Sequence, residues 1–494
     1  MSEPKLALMK GAAWSIGMRW AMRVIGFLNT VIMARILMPE DYGIVAMAML
    51  IVGLTEAMLD TGSGTVLLAK QTIDRDDIDS TWTLRVIQGL IVGLMIAGAA
   101  YPASLYFQES RVFHVLLIFA ACLAATHACN IGLVLAQRDL NFYFAFKWGI
   151  FGKLIGVAST VISGWWLGDY RALVIGVSAG YISGLVLSYS MHPYRPRWNT
   201  SRIGEIWQTS RWLMFSNVAG YMLRKGDELA AARAGTTAGY GEYNVGADVG
   251  QLPTSVVGPA MLGAFLPVLS TIQSDISRTK EAVLKTLRAV NTITLPIGFI
   301  FAALATQATA LLLGSKWIGA SSFVAAFALI STIQIMFSPV NTLLFLRGQA
   351  KLQTLIVWTE FAVFVILAWP LTIEFGLMGL ALARLGASVA NGFTILIAAR
   401  LRADFAIGPA LRSLARPGAG AVLAAATAHN MQLIMTASGP AITLMVSACI
   451  AGLVYTAWSL ISWQLAGRPE GAESTLLDIF NKMKSKAKAK PKTL

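Results

Sequence analysis

The chain alternates between long apolar stretches and short polar connections along almost its whole length. About 20 mainly apolar residues are enough for an α-helix to cross the hydrocarbon core of a bilayer. Fourteen such spans are predicted, at residues 12–33, 42–64, 82–106, 112–135, 145–167, 172–191, 206–228, 243–270, 289–313, 320–346, 353–373, 375–399, 415–437 and 440–466. The pattern therefore predicts an all-α, multi-pass membrane protein with no separate soluble domain.

Composition and charge support this interpretation. Hydrophobic residues make up 56% of the 494 positions and charged residues only 13%, against about 25% in ordinary soluble chains. The formal net charge of +14 raises the alternative of a nucleic-acid partner. Because no basic stripe with interleaved aromatic residues lies outside the apolar stretches, nucleic acid is excluded as a partner.

The positions of the basic residues predict the orientation. Cytoplasmic connections of membrane proteins are enriched in Lys and Arg. If the N-terminus is cytoplasmic, the inward connections hold most of these residues, among them Lys70, Arg75, Arg138, Lys153, Arg195, Arg197, Arg278, Lys280, Arg347, Lys351, Arg400 and Arg402. The outward connections hold Arg35, Arg111, Arg171, Arg224, Lys225, Arg233 and Lys316. This alternation predicts that both termini are cytoplasmic.

Residues 467–494 form a predicted cytoplasmic basic tail. A short apolar group around Phe480 precedes lysines at every second position from Lys482 onwards. Basic segments of this kind bind anionic lipid headgroups. A disordered tail that only aids solubility is an equally good interpretation.

The first half of the chain contains a short motif that recurs in the second half. Ala34-Arg35 with Tyr42-Gly43 reappears as Ala232-Arg233 with Tyr240-Gly241 at one constant offset. Both copies follow a predicted span, the first and the seventh. The repeat predicts two six-helix lobes, residues 1–199 and 200–400, related by an axis along the membrane normal, as in transporters that bind substrate between lobes. Helices 13 and 14 (401–466) fall outside it.

Several motifs then resemble a known family. They are Leu37-x-Pro39-x-Asp41-Tyr42-Gly43 after the first span, Gln137-Arg138-Asp139-Leu140-Asn141-Phe142 after the fourth, Gly226-Asp227 with Gly241-x-Tyr243 around the seventh and eighth, and Phe265-Leu266-Pro267-x-Leu269-Ser270. Together they resemble the polysaccharide transporters of the multidrug/oligosaccharidyl-lipid/polysaccharide exporter superfamily. Gly246 departs from the pattern, in which alanine is expected.

The resemblance implies a flippase of a Gram-negative inner membrane, most similar to the exopolysaccharide transporters of rhizobia. Its implied substrate is an undecaprenyl-diphosphate-linked oligosaccharide, which it would move from the cytoplasmic to the periplasmic leaflet by alternating access. The implied partners are the polymerase and the chain-length and export proteins of the same pathway. These expectations come from the resemblance alone.

Charged residues within spans are costly and need an explanation. Arg19 and Arg23 are four residues apart and therefore share one face of the first span. At the repeat offset, the same face of the seventh span carries Asn217, Tyr221 and Arg224. Because guanidinium groups bind diphosphate oxygens bidentately, these five residues are the predicted diphosphate and sugar site. Arg85, Lys153, Arg211 and Arg384 lie nearer the span ends, where snorkelling to the headgroups is the simpler interpretation.

Acidic residues within spans leave two interpretations open. Glu56, Asp60 and Asp227 pair with the arginines, or they bind a coupling proton or sodium ion. No other cofactor is expected. Cys122, His127 and Cys129 match no zinc-ligand spacing, so we expect them to be packing residues.

The eighth span contains Pro253 and Pro259. Proline removes an intrahelical hydrogen bond, so these positions are candidate gating hinges; close packing of the neighbouring glycines is the alternative.

Two other functions compete with the flippase: a multidrug exporter of the same superfamily, and an integral-membrane polysaccharide polymerase. The arginines oppose a site for cationic drugs. Because no polar catalytic cluster is visible, we predict that the protein is not an enzyme.

Overall fold

The computed structural model describes residues 3–59, 64, 67, 68, 70, 72–139, 141–272, 275–435 and 439–467. Within these ranges the chain is helical and forms no strand. Asp60 and the predicted basic tail beyond residue 467 lie outside the described residues, as do the side chains of Arg211 and Pro259. The predicted all-α, multi-pass fold class is confirmed.

Two compact units divide the chain, 1–244 and 245–494. The first contains α1 (Glu3–Ile36), α2 (Pro39–Leu59), α3 (Arg75–Phe107), α4 (Arg111–Thr126), α5 (Gly132–Arg138), α6 (Phe142–Leu167), α7 (Arg171–Met191), α8 (Ile203–Ala234) and the start of α9 (Thr237–Ile272).

The second unit contains the rest of α9, then α10 (Ile276–Ala303), α11 (Ala305–Leu312), a 3₁₀ turn (Ser315–Ala320), α12 (Ser321–Met336), α13 (Ser338–Leu346), α14 (Ala350–Phe375), α15 (Leu377–Ala403), α16 (Ile407–Ile434) and α17 (Pro440–Leu465). The lobe boundary at 199/200 rests on the repeat rather than on these units, and it stays a prediction.

In the residues that the structure describes, each predicted span lies on one of these helices or on two consecutive ones. In the part of the chain that the structure describes, nine helical segments are long and apolar enough to cross a membrane. The remaining predicted spans lie on α1, on α4 with α5, and on α8, α9 and α16. The count of fourteen therefore stays a prediction.

Helices α6 and α7 pack backbone to backbone along a line of glycines. A Cβ on Gly156 would lie 3.0 Å from the carbonyl oxygen of Gly176 and 3.3 Å from the Cα of Gly180. A Cβ on Gly176 would overlap the hydroxyl of Thr160, which itself donates to the Gly156 carbonyl at 2.8 Å. Small residues at intervals of four let membrane helices approach this closely.

The connection between α7 and α8 is fixed to the start of α3. The Tyr194 hydroxyl donates to the Asp79 carboxylate at 2.8 Å, and the backbone amide of Asn199 donates to the Thr83 hydroxyl at 3.0 Å. Burial, together with the hydrogen bond to Asp79, raises the pKa of Tyr194 to about 12. This connection thereby fixes where α8 begins, and α8 then packs against α2.

The second unit has apolar clusters of its own. Leu287 on α10, Val340 and Leu343 on α13, and Leu396 on α15 are almost fully buried together. A second cluster joins Leu304 to Ala424 and Ala428 on α16 and to Ala451 and Tyr455 on α17. The last two helices are therefore integral parts of this unit.

Candidate functional site

The first helix presents the predicted cationic face. Arg19 and Arg23 are both exposed, and Arg23 also interacts with a neighbouring group of the protein. One turn further along α1, the space beside Gly26 is occupied by Lys153 of α6, whose Nζ lies 3.9 Å from the position of a Cβ on Gly26. Lys153 lies near the middle of α6 rather than near a helix end, so the simpler expectation of snorkelling does not describe it.

Helix α8 presents Tyr221 and Arg224 differently from each other. The Tyr221 hydroxyl donates to the Leu50 carbonyl of α2 at 2.8 Å. Its ring fills the space left by Gly53, where a Cβ would lie 2.8 Å from the ring. Arg224 is exposed. Tyr221 therefore holds α8 against α2, whereas Arg224 remains accessible to a ligand.

The acidic candidates have separate surroundings. Asp227 is 4% exposed and accepts a hydrogen bond from the Tyr243 hydroxyl at 3.2 Å; in the described part of the chain it forms no ion pair with an arginine. Its neighbour Glu228 pairs with Lys225 and accepts from Asn244 at 3.4 Å. The hydrogen bond therefore joins two residues of the motif around the seventh and eighth spans.

Three of the cavities in the described part of the first unit lie among its helices and are lined in part by polar and aromatic side chains. One of about 370 Å³ is lined by Asn29, Trp148, Lys153 and Tyr181. A second of about 340 Å³ shares Trp148 and Tyr181 with it and adds Glu56 and Arg85. A third of about 420 Å³ is lined by Tyr42, Tyr221, Lys225, Glu228 and Asn244 among others. The unit therefore contains cavities whose largely apolar walls also carry polar and aromatic side chains.

The first family motif determines how α2 begins. Asp41 accepts a hydrogen bond from the Met38 amide at 2.9 Å, which satisfies a donor at the helix start. It also accepts from the Tyr170 amide at 2.9 Å, which ties α2 to the start of α7. The Tyr42 hydroxyl donates to the Thr30 carbonyl at 3.2 Å. The motif is therefore a structural junction among three helices.

Arg111 extends this junction. It pairs with Glu109 at 2.7 Å and with Glu40, and its guanidinium lies over the Tyr170 ring. Glu109 in turn accepts from the Thr237 hydroxyl at the start of α9, at 3.2 Å. The hydrogen bonds from Arg111 lower the pKa of Glu109. The network connects the starts of α2, α4 and α9.

The two repeated glycines pack against each other's helix start. A Cβ on Gly43 would overlap the carbonyl oxygen of Thr237, and a Cβ on Gly241 would overlap the carbonyl oxygen of Pro39. Pro39 and Thr237 stand at the same offset as Gly43 and Gly241. A reciprocal contact of this kind is the geometry that a local twofold axis produces. The repeat of two six-helix lobes stays a prediction.

The second motif connects the segment before α3 to the start of α6. Arg138 donates to the Lys70 carbonyl at 2.7 Å, and Asn141 caps α6 by accepting from the Phe144 amide at 3.3 Å.

Gly246 and Gly250 of α9 pack against α12: a Cβ on either would lie 2.6 Å from an atom of that helix. The departure at Gly246 therefore accompanies a close helix contact that leaves no room for alanine without a shift.

Helix α9 continues through Pro253 and Pro259, and the hinge at these positions stays a prediction. Among the described residues, no group of three or more His, Cys, Asp or Glu side chains is placed to hold a metal ion.

The fold matches known membrane transporters. Lipid II flippase MurJ in an inward closed conformation superposes with a TM-score of 0.71 at 14% identity, over 92% of this chain and 100% of that one. An inward-facing multidrug resistance MATE family transporter of the MOP superfamily gives 0.57 at 12% identity, over 78% of this chain and 94% of that one. This architecture is therefore that of the transporters in the predicted superfamily.

Sequence comparison then gives the family. Residues 32–322 match the polysaccharide biosynthesis protein family, and the chain belongs to it. An uncharacterized membrane protein of the cps region of Klebsiella pneumoniae is 23% identical over 76% of this chain and 79% of its own length. Succinoglycan biosynthesis transport protein ExoT of Rhizobium meliloti (strain 1021) is 22% identical over 71% of each chain. The predicted family resemblance is confirmed.

The sequence analysis did not predict the 370 Å³ cavity that Lys153 lines. Two signals pointed to it. Gly176, Gly180 and Gly184 repeat at intervals of four, which indicates close helix packing, and Lys153 lies within an otherwise apolar stretch. The predicted binding residues Arg19, Arg23, Asn217, Tyr221 and Arg224 stay predictions.

Proposed function

We propose that this protein is a flippase that moves undecaprenyl-diphosphate-linked oligosaccharide repeat units across the bacterial inner membrane for exopolysaccharide synthesis. The observation that carries the proposal is the exposed pair Arg19 and Arg23 on a helix of an apolar bundle whose family is that of polysaccharide biosynthesis proteins. A diphosphate carries the charge and the acceptor oxygens that two guanidinium groups bind well.

The proposed transport cycle is alternating access. Membrane transporters built from repeated lobes move substrate by alternating access, with the binding site near the middle of the bilayer. Arg19, Arg23 and Arg224 bind the diphosphate, and Asn217 and Tyr221 contribute to the polar wall. A proton or sodium ion at Glu56, Asp60 or Asp227 supplies the coupling, and the protein itself catalyses no covalent step.

The nearest alternative is a multidrug exporter, since a MATE family transporter shares the fold. A site for cationic drugs requires an acidic or aromatic surface. The exposed arginines of α1 favour an anionic substrate instead. An integral-membrane polymerase is the second alternative, and it requires a catalytic cluster that the described cavities do not suggest.

Deletion of the gene in its bacterial host tests the function. We expect one lipid-linked oligosaccharide to accumulate while secreted polymer disappears, because synthesis of the repeat unit continues without its transport. Mass spectrometry of the lipid extract identifies that molecule and with it the natural substrate. A strain that secretes polymer normally and accumulates no such lipid contradicts the proposal.

The orientation is part of the proposal, and it rests on the alternation of Lys and Arg. Cysteines placed at Glu40, Gly168 and Lys316 should react with a membrane-impermeant thiol reagent added to the periplasmic side. Cysteines at Arg75, Arg197 and Arg278 should react only after the membrane is opened. The native Cys122, Cys129 and Cys449 are replaced first, so that each signal reports one position. Reversed labelling at any two positions contradicts the map.

In this orientation the tail after residue 467 faces the cytoplasm and binds anionic lipid headgroups. The polymerase and the chain-length and export proteins act on the periplasmic product and are the proposed partners of the pathway.

A further inference from the structure

The cavity between α1, α2, α6 and α7 has the composition of a sugar-binding pocket. Its volume is about 370 Å³, and its walls combine the aromatic rings of Trp148 and Tyr181 with the polar side chains of Asn29, Lys153 and Thr160. Glycines of α6 and α7 form much of the remaining wall, which leaves room for a ring-sized ligand. Ligand pockets typically pair aromatic surface with a few placed polar groups in this way.

Lys153 provides the charge of this pocket. Its amine extends from the middle of α6 towards Gly26 of α1. It makes no hydrogen bond or ion pair with any residue that the structure describes. An ammonium group inside an apolar bundle is costly unless an anion or water solvates it. A lysine in such a position is suited to an anionic ligand.

Two other groups orient the pocket. The Trp148 indole Nε1 donates to the Gly184 carbonyl at 2.9 Å, which fixes the ring against α7. The amide oxygen of Asn29 is buried and has no hydrogen-bond partner among the described residues. A fixed aromatic ring and an unsatisfied acceptor suit a sugar, which offers an apolar ring face and hydroxyl donors.

The pocket also lies further along α1 from the predicted diphosphate site. From Arg19 to Asn29, α1 rises by about 15 Å at 1.5 Å per residue. If the oligosaccharide extends along α1 from a diphosphate held at Arg19 and Arg23, its first sugars lie beside Gly26 and Asn29. Lysine supplies one positive charge with three hydrogen-bond donors, which the single carboxylate of an acidic sugar can neutralise.

We propose that this cavity is the subsite for a carboxylate-bearing sugar of the lipid-linked oligosaccharide, with Lys153 as the counter-charge of the carboxylate. The inference rests on the proposed function, since it takes an oligosaccharide diphosphate as the substrate. It adds a substrate class, the acidic repeat unit, and a residue that selects for it.

The test uses the purified full-length protein in lipid nanodiscs and two synthetic isoprenoid-diphosphate disaccharides. They differ only in carrying glucuronic acid or glucose as the terminal sugar. Wild-type protein should bind the acidic ligand about tenfold or more tightly, the usual effect of a charge-assisted contact away from bulk water. Lys153→Met should abolish this preference while leaving the affinity for the neutral ligand unchanged, and Lys153→Arg should retain most of it.

Lys147→Met is the matched control. Lys147 lies on the same helix, but its amine contacts the Tyr143 ring at 4.7 Å and does not line the cavity. We expect this variant to keep the wild-type preference. Equal weakening of both ligands by Lys153→Met assigns Lys153 to the diphosphate or to the fold and overturns the inference. A Lys153→Met variant that keeps the wild-type preference also overturns the inference. Wild-type protein that binds both ligands equally overturns the inference but leaves the flippase proposal intact. Wild-type protein that binds neither ligand contradicts the proposed function as well.

Discussion

Replacing Arg23 with alanine is expected to reduce polymer export about tenfold to a hundredfold, while the protein still inserts in the membrane at normal levels. Arg23 shares an exposed face of α1 with Arg19. Each guanidinium contact to a diphosphate in a site shielded from bulk water contributes about 1.5–3 kcal/mol, which corresponds to that change in affinity. Arg23→Lys should recover only part of the activity, because lysine restores the charge without the planar, bidentate geometry of the guanidinium group. Secreted polymer per unit of membrane protein measures the effect.

Arg171→Ala is the control for the loss of a positive charge. Arg171 is an exposed residue at the start of α7, where it forms a 3.7 Å pair with Asp169. Exposed pairs of this kind contribute little to stability, so we expect near wild-type export. Arg23→Ala protein that exports polymer at the wild-type rate when expression is limiting would show that Arg23 is a structural residue. The predicted diphosphate site would then be wrong.

Alanine at Gly43 or Gly241 is expected to impair transport by a different route. Each new Cβ overlaps a backbone carbonyl oxygen of the facing helix start, and backbone cannot move aside as a flexible side chain can. Overpacking of this kind costs about 1–3 kcal/mol. If the contact between α2 and α9 exists in only one state of the transport cycle, the substitution lowers the population of that state by roughly fivefold to a hundredfold. Thiol labelling of a cysteine at Ala46, which lines the adjacent cavity, should then change in rate by a similar factor.

Gly98→Ala provides the matched control, because a Cβ at Gly98 of α3 meets no atom within 4 Å. It should leave both export and labelling unchanged. Gly43 and Gly241 belong to one interface, so the double variant should be less impaired than the two single effects combined. Strictly additive losses, or wild-type labelling rates in both single variants, would show that this contact does not take part in the cycle.

Much of the fold could be predicted because the bilayer imposes a simple rule on the sequence. A spanning helix must be long and apolar, and the described part of every predicted span lies on helical structure. The family motifs could also be recognised in the sequence, but the structural roles of their residues could not be predicted from it. Asp41 reads as a signature residue and proves to connect Met38 and Tyr170. A contact between positions 129 residues apart leaves no periodic trace in the chain.

The candidate site shows the same limit more clearly. Spacing alone placed Arg19 and Arg23 on one face of α1, because neighbours four apart on a helix are fixed by its geometry. No spacing rule brings Lys153 beside Gly26 or joins Tyr243 to Asp227. Such pairs depend on which helices pack together. Distance from a span end was a poor guide for Lys153, since helix packing determines whether a side chain reaches the headgroups or a cavity.

The most direct measurement of the central claim is the leaflet in which the lipid-linked oligosaccharide accumulates when the gene is deleted. Inverted and right-side-out membrane vesicles from the deletion strain are treated with an impermeant reagent that oxidises sugars, and the extracted lipid is analysed by mass spectrometry. A flippase predicts that the oligosaccharide is modified only in inverted vesicles, because it remains on the cytoplasmic leaflet, and that restoring the gene makes it accessible in right-side-out vesicles. Oligosaccharide that already lies on the periplasmic leaflet without this protein would contradict the account and assign the protein to a later step.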